Sequence, residues 1–259
     1  MLPGPVIFGI IHMYGLMIGI GLAIGFAILA FYFKKKGIDD KFADFVFMNG
    51  IVSVLLGFLS ATLFQAFYNY IENPDKGFKL GSGMTFLGGL IGGVVCFLVI
   101  YFIMYKKYET RLYEALSIIP CTIVMAHGFG RIGCFFAGCC YGVPTDSFLG
   151  VTFPGHSHAV HPTMLYEAAF LFILFGVFTF LLFKYDFKHN MSLYLVSYGI
   201  FRFLLEFIRG DHRGELLGFI SPSQTWSALM VVLGVALYFL TDRFYKKKAA
   251  KRQKNNFKR

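Results

Sequence analysis

The apolar positions of this chain fall into seven long runs, each near the ~20 residues that a helix needs to cross a bilayer. They cover Val6 to Phe33, Phe42 to Tyr68, Met84 to Tyr105, Leu112 to Phe129, His161 to Phe183, Ser192 to Ile208 and Pro222 to Leu240. The pattern predicts an all-α membrane protein of seven transmembrane helices. The fourth run is the weakest, because it holds Glu114 and Pro120 and leads straight into a glycine-rich motif. Broken backbone at membrane depth is tolerated only where protein or a cavity surrounds it, which marks that region as a site. No basic stretch and small-residue cleavage site frame a short apolar core at the N-terminus, so the first run is read as a span and not as a removed signal peptide. No internal repeat or linker is visible. The expected organisation is a transmembrane domain over residues 1–242 and a basic tail over 243–259.

Charge between the runs predicts orientation. Lys34, Lys35, Lys36 and Lys41 follow the first run, Lys106, Lys107 and Arg111 the third, Lys184 and Lys188 the fifth, and the basic tail the seventh. The alternate loops are poorer in Lys and Arg. By the positive-inside rule the N-terminus lies outside and the C-terminus in the cytoplasm. The segment His127–Gly142, His161 and Arg209 then all approach the outer face.

Composition agrees. Of 259 residues 57% are hydrophobic and 15% charged, against about 25% charged in soluble domains. With a single tryptophan, Trp226, and 15 tyrosines, the interfacial aromatic belt falls to tyrosine. The net charge of +10 resides largely in the tail. It predicts an anchor on anionic lipid and no nucleic-acid partner.

Candidate chemistry begins with Arg131, in the run H-G-F-G-R-I-G-C-F-F-A-G-C-C-Y-G from His127 to Gly142. A guanidinium keeps its charge at any working pH, and at the centre of a span it costs about 2.5–3.5 kcal/mol. Neighbouring glycines, Gly133 and Gly142 among them, allow close approach of backbone and ligand. The anion that an arginine meets at this depth is a lipid phosphate. In the sixth run Tyr198, Arg202, Glu206 and Arg209 are spaced four, four and three apart, which places them on one helical face. One carboxylate cannot neutralise two arginines. Either Asp211, Glu167 or another acid joins the group, or one arginine keeps its field for a bound phosphate.

Further candidates are individually weaker. In H-P-T-M-L-Y-E, Pro162 suits a first-turn position. His161 is either an acid–base group or an interfacial histidine, and Tyr166 and Glu167 are expected to brace the arginines. Tyr14 is either a hydrogen-bond donor to substrate or capped by a backbone carbonyl. The glycines between Gly81 and Gly93 predict close helix packing. Cys134, Cys139 and Cys140 read as small packing residues, as a Cys134 disulfide with either neighbour, or as a thiolate beside Arg131. The C-x4-C-C spacing lacks the paired pattern of a zinc motif, so no metal is expected, and no other cofactor.

Taken together, the segments resemble the prolipoprotein diacylglyceryl transferase family. The matching pieces are Tyr14–Met17 (Y-G-L-M), Gly88–Gly92 (G-G-L-I-G), Gly130–Phe135 (G-R-I-G-C-F), His161–Glu167, Arg202–Asp211 and Ser221–Ser227 (S-P-S-Q-T-W-S), in family order over most of the chain. The resemblance implies a seven-span bundle in the bacterial inner membrane, with its active site toward the outer leaflet. The implied reaction moves a diacylglyceryl group from phosphatidylglycerol to the lipobox cysteine thiol of a secreted prolipoprotein, releasing glycerol phosphate. Two other activities remain open on the residues: the same donor with another acceptor, and phospholipid binding or transport without catalysis.

By the same resemblance Arg131 is the phosphatidylglycerol-binding arginine, Arg209 a second essential one, and Tyr14 the tyrosine of its motif. Arg202, Glu206, Gly133 and Gly142 complete the expected substrate contacts. The chain departs from the family pattern at Cys134, Ala137 and Cys139, where Asn, Asn and Glu would stand, and at Leu87, where a histidine would. His161, His127 and Cys139 are the replacements expected to handle the acceptor's proton.

Overall fold

A computed structural model of the protein describes residues 6–7, 11–81, 83–108, 112–210 and 221–256. Among the described residues eight α-helices carry the fold: α1 (Met13–Lys35), α2 (Asp40–Glu72), α3 (Phe86–Met104), α4 (Leu112–Ala115), α5 (Ile119–Phe136), α6 (Thr163–Lys184), α7 (Asn190–Leu205) and α8 (Pro222–Asn256). Seven of them, all except the four-residue α4, supply spans long and apolar enough to cross a membrane. This is a multi-pass membrane protein.

The helices form two compact units, one of Met1–Leu29 with Leu112–Arg259 and one of Ala30–Arg111. In the second unit, Asp39 caps α2 by accepting a hydrogen bond from the Phe42 amide at 3.0 Å. The 33 residues of α2 reach about 50 Å at 1.5 Å per residue, beyond the roughly 30 Å of hydrocarbon. Helix α3 lies so close to α2 that a β-carbon on Gly57 would stand 3.0 Å from the Gly89 carbonyl. Ser60 Oγ donates to the Gly88 carbonyl across the same seam at 2.9 Å. Small residues give two helices close van der Waals contact where lipid supplies no hydrophobic drive between them. That is the role expected for the glycine-rich third run.

In the first unit, α5 packs on α6 with Gly128 facing Phe172, and α7 packs on α8 with Gly199 facing the Ser227 carbonyl. Phe178, Leu171 and Leu182 of α6 are fully buried. Leu55, Phe102, Ile103 and Val232 of other helices stand exposed, the surface that a bilayer covers.

Four boundaries differ from the sequence reading. A two-residue antiparallel pair, β1 (Val6–Ile7) with β2 (Ile11–His12), precedes α1 where helix was expected from Val6. The fourth run is not a span from Leu112 to Phe129. It breaks after α4, and the span is α5, with Pro120 in its first turn, where the missing N–H costs nothing. Pro162 stands at the N-cap of α6 and not inside its first turn. Helix α8 continues through the basic residues to Asn256, so the expected tail prolongs the seventh span.

Candidate active site

Because α5 extends to Phe136, Arg131 lies within a helix and not in the loop beyond it. Its Nε stands 3.0 Å from Oε1 of Glu167, on α6, which is 1% exposed. The contact is an ion pair only: among the described residues the buried Nε–H has no hydrogen-bond partner. The two Nη atoms of Arg131 have no hydrogen bond or ion pair among the described residues. Glu167 Oε1 also accepts from Tyr198 Oη at 2.5 Å and lies 3.8 Å from His127 Nε2. The hydroxyls of Tyr194 and Tyr198 stand 3.5 Å from the two ring nitrogens of His127. At an effective dielectric of 20 a 3 Å pair gains about 5 kcal/mol, while each buried ion loses several kcal/mol of hydration. Such a pair adds little to stability, so its value here lies in holding a guanidinium at a set place.

The second cluster surrounds Glu206, in the 3₁₀ turn Glu206–Ile208 that follows α7. Arg202 Nη1 pairs with Glu206 Oε2 at 2.7 Å, and Arg202 Nη2 donates to Ser223 Oγ at 3.3 Å. Ser221 Oγ donates to Glu206 Oε1 at 2.9 Å, and Arg209 Nε lies 3.8 Å from Oε2. The four residues therefore do not share one helical face as their spacing predicts. The helix stops at Leu205 and Arg209 is extended, because its backbone is captured by the loop between α5 and α6.

That loop ties the clusters together. Gly142 forms an antiparallel bridge with Arg209. The Val143 amide donates to the Ile208 carbonyl at 3.0 Å and the Gly210 amide to the Tyr141 carbonyl at 3.3 Å. On its other edge the Gly142 amide donates to the His161 carbonyl at 2.7 Å, and His161 N–H returns a bond to Val143 at 3.1 Å. A β-carbon on Gly142 would sit 2.5 Å from the Ile208 carbonyl oxygen, so only glycine fits there. Gly133 serves a parallel purpose: a β-carbon there would stand only 3.2 Å from the Tyr14 ring, so the glycine lets Tyr14 of α1 lie tight against α5. Tyr14 is itself 41% exposed.

Two expectations about side chains change. Glu167 does brace Arg131, but the Tyr166 hydroxyl instead meets His161 Nδ1 at 3.1 Å. The cysteine spacing that argued against a shared ligand set does not hold in three dimensions, since the sulfurs of Cys134, Cys139 and Cys140 all lie within 4.8 Å of one another. All five cysteines are free thiols. Hydrogen bonding from the Cys134 and Cys139 thiols holds the Cys140 thiol far below the ordinary thiol range, and Arg209 and Arg131 add to this against burial. A hollow of about 420 Å³ lies among Pro144, Asp146, Ser147 and His158, but it contains no arginine. Asp211, Arg213 and Glu215 lie outside the described residues.

Tyr194 is a site residue that the motif reading passed over, while Ser221 and Ser223 lie in the quoted S-P-S-Q-T-W-S motif but were given no role there. A signal for Tyr194 was present, since it continues the four-residue spacing of Tyr198, Arg202 and Glu206.

The profile of the prolipoprotein diacylglyceryl transferase family matches residues 5–240, from the first strand into α8. The chain belongs to that family. It is 34% identical over 255 residues to the phosphatidylglycerol–prolipoprotein diacylglyceryl transferase of Clostridium tetani, covering 93% of this chain and 97% of the relative. A second such enzyme, the one numbered 2 in Clostridium perfringens, is 33% identical over 248 residues, with 90% and 92% covered. The Bordetella bronchiseptica enzyme of the same name is 34% identical over 249 residues, again with 90% and 92% covered. Family membership extends across both clusters, since Arg131, Glu167, Arg202 and Arg209 all fall inside the matched stretch.

Proposed function

We propose that this protein transfers a diacylglyceryl group from phosphatidylglycerol to the cysteine thiol of a secreted prolipoprotein and releases glycerol phosphate. The relatives carry that activity in their names. The observation that supports it in this chain is the presentation of Arg131. Glu167 occupies its Nε edge, leaving both Nη atoms for an incoming oxyanion. Guanidinium donors form paired bonds with phosphate oxygens and stabilise negative charge as it develops.

In this reading Arg131 and Arg209 grip the phosphate, and the charge gathering on the departing glycerol phosphate is met by groups already in place. Arg202 is committed to Glu206 and Ser223, so it positions Glu206 and through it Arg209. His161 is a proton acceptor for the incoming thiol, oriented by the Tyr166 hydroxyl. The protein sits in the bacterial inner membrane with its N-terminus outside, its C-terminus cytoplasmic and this site toward the outer leaflet. The basic extension of α8 emerges on the cytoplasmic side, where its lysines and arginines meet anionic headgroups.

Mass spectrometry of a lipobox peptide incubated with purified protein and phosphatidylglycerol tests the reading. A diacylglyceryl adduct on the cysteine, with one glycerol phosphate per adduct, is expected. Glycerol phosphate without peptide adduct would mean another acceptor, and lipid binding without either product would mean a binding protein.

A further inference from the structure

The end of α5 is a Schellman turn, and its sequence places cysteines at the positions that such a turn brings together. Gly138 adopts φ 61, its amide donates to Phe135 at 3.0 Å, and the Cys139 amide donates to Cys134 at 3.2 Å. This is the paired bonding in which the second residue past the helix folds back over the third from its end. In most helices an apolar contact fills that place. Here it is Cys134 against Cys139. Cys140 follows with φ 67, a left-handed conformation uncommon for a residue bearing a β-carbon. Its carbonyl is held by Thr163 Oγ1 at 2.5 Å. The backbone thus turns a third sulfur onto the first two.

From this geometry we infer that Cys134, Cys139 and Cys140 form a three-sulfur site for one soft metal ion of the zinc class, with a fourth position open to a thiol. Three sulfurs at about 2.3 Å from a tetrahedral zinc stand about 3.8 Å apart. The sulfurs here lie within 4.8 Å, so side-chain rotations of about 1 Å close the set. Thiolate donors select zinc or copper(I) over magnesium or calcium. The carbonyl end of a helix favours a cation, and α5 ends at this point. Three thiolates with a divalent ion carry one net negative charge, and Arg131 is three residues from Cys134 on the same helical face. Phe153, Val160 and Met164 pack around Cys134, with Cys139, Cys140 and Tyr141 against them, giving the site an apolar wall.

The open position deepens the proposed transferase reading and rests on it. The acceptor's S–H bond breaks as its sulfur binds the metal, and the proton passes to His161, the acceptor assigned to it above. The bound sulfur then attacks the glyceryl carbon. A C–S bond forms, the C–O bond breaks, and the electron pair departs on the glycerol phosphate oxygen, with no change of oxidation state.

The test uses reduced full-length protein in lipid nanodiscs, with zinc alone as probe and a chromophoric chelator as competitor. One zinc per chain is expected. Single Cys134→Ser, Cys139→Ser and Cys140→Ser variants should each weaken binding by at least about 100-fold, because even loss of a group that merely supports a ligand costs 10–100-fold. Cys96→Ser, outside the cluster, should bind as wild type. Monodisperse elution of each variant separates lost ligands from lost fold. Substoichiometric zinc, unchanged binding in the Cys→Ser variants, or an air-stable disulfide between Cys134 and a neighbour would overturn the site. These measurements involve no lipid donor, so they stand apart from the transferase assay. X-ray absorption then asks about the open position: a lipobox peptide should raise the zinc sulfur count from three to four, and its Cys→Ser form should not. An unchanged count would overturn the acceptor role.

Discussion

Glu167 is the residue whose replacement tests the site's construction most directly. Its Oε1 faces Arg131 Nε at 3.0 Å, accepts from Tyr198 at 2.5 Å, and lies in an environment only 1% exposed. Glu167→Ala removes the carboxylate and leaves Arg131 as an uncompensated buried charge, which costs about 3–5 kcal/mol. Glu167→Gln keeps the shape and one acceptor oxygen. The Tyr198 hydrogen bond to a charged acceptor contributes about 1.5–3 kcal/mol, roughly twice its neutral counterpart, and is halved in the amide. Loss of the ion pair leaves the Arg131 charge uncompensated as well, so the total should approach about 3 kcal/mol, the lower bound for a broken buried pair. If the pair is the cause, removing Arg131 as well should recover much of the loss. Thermal unfolding in detergent of Glu167→Gln, Arg131→Met and the double variant closes a cycle, with an expected coupling of at least about 1.5 kcal/mol. Additive effects would refute the argument that Glu167 exists to hold Arg131.

Arg131→Lys keeps the charge but loses the planar fork. Release of glycerol phosphate should fall roughly 100-fold or more while the variant remains folded, and retained activity would show that no paired phosphate contact is made. Gly142→Ala drives a β-carbon to 2.5 Å from the Ile208 carbonyl and 2.8 Å from His161 Cβ. Overpacking of about 1–3 kcal/mol is expected, and a Tm equal to wild type would contradict the tight bridge. His189, which meets Thr241 Oγ1 at 2.9 Å, is held below its ordinary range by burial. Its folded pKa is therefore below the unfolded one. Its contribution is present above about pH 6.5, the unfolded value, and is lost as pH falls below it because the unfolded chain takes up the proton first. Melting curves at pH 7.5 and 5.0 should show a smaller acid shift for His189→Gln than for wild type.

Much of this was legible in the residues, for a physical reason. Spans announce themselves because lipid demands long apolar runs, and Arg131 stands out because charge in such a run is costly. Glu167 and Glu206 could be anticipated as the acids that arginines require. The fold-back of Cys139 onto Cys134 was less visible. It depends on Gly138 taking a left-handed conformation, and linear spacing records the residues of a turn without their angles. The extended placement of Arg209 was likewise hidden. Helical periodicity carries it one turn past Leu205, and only a backbone partner some seventy positions earlier, at Gly142, draws it out of the helix. Ser221 and Ser223 stood out only as part of the S-P-S-Q-T-W-S motif, since nothing local says that they contact Glu206 and Arg202.

The bridge between Gly142 and Arg209 also bears on biogenesis. A ribosome feeding this chain into the membrane delivers Arg131 and its carboxylate well before the segment that completes the other half. Until α7 has been threaded and its trailing residues have zipped onto Tyr141–Val143, Arg209 lacks the backbone partners that hold it extended. On the proposed reading, the pair of phosphate-gripping arginines is therefore completed only late in synthesis.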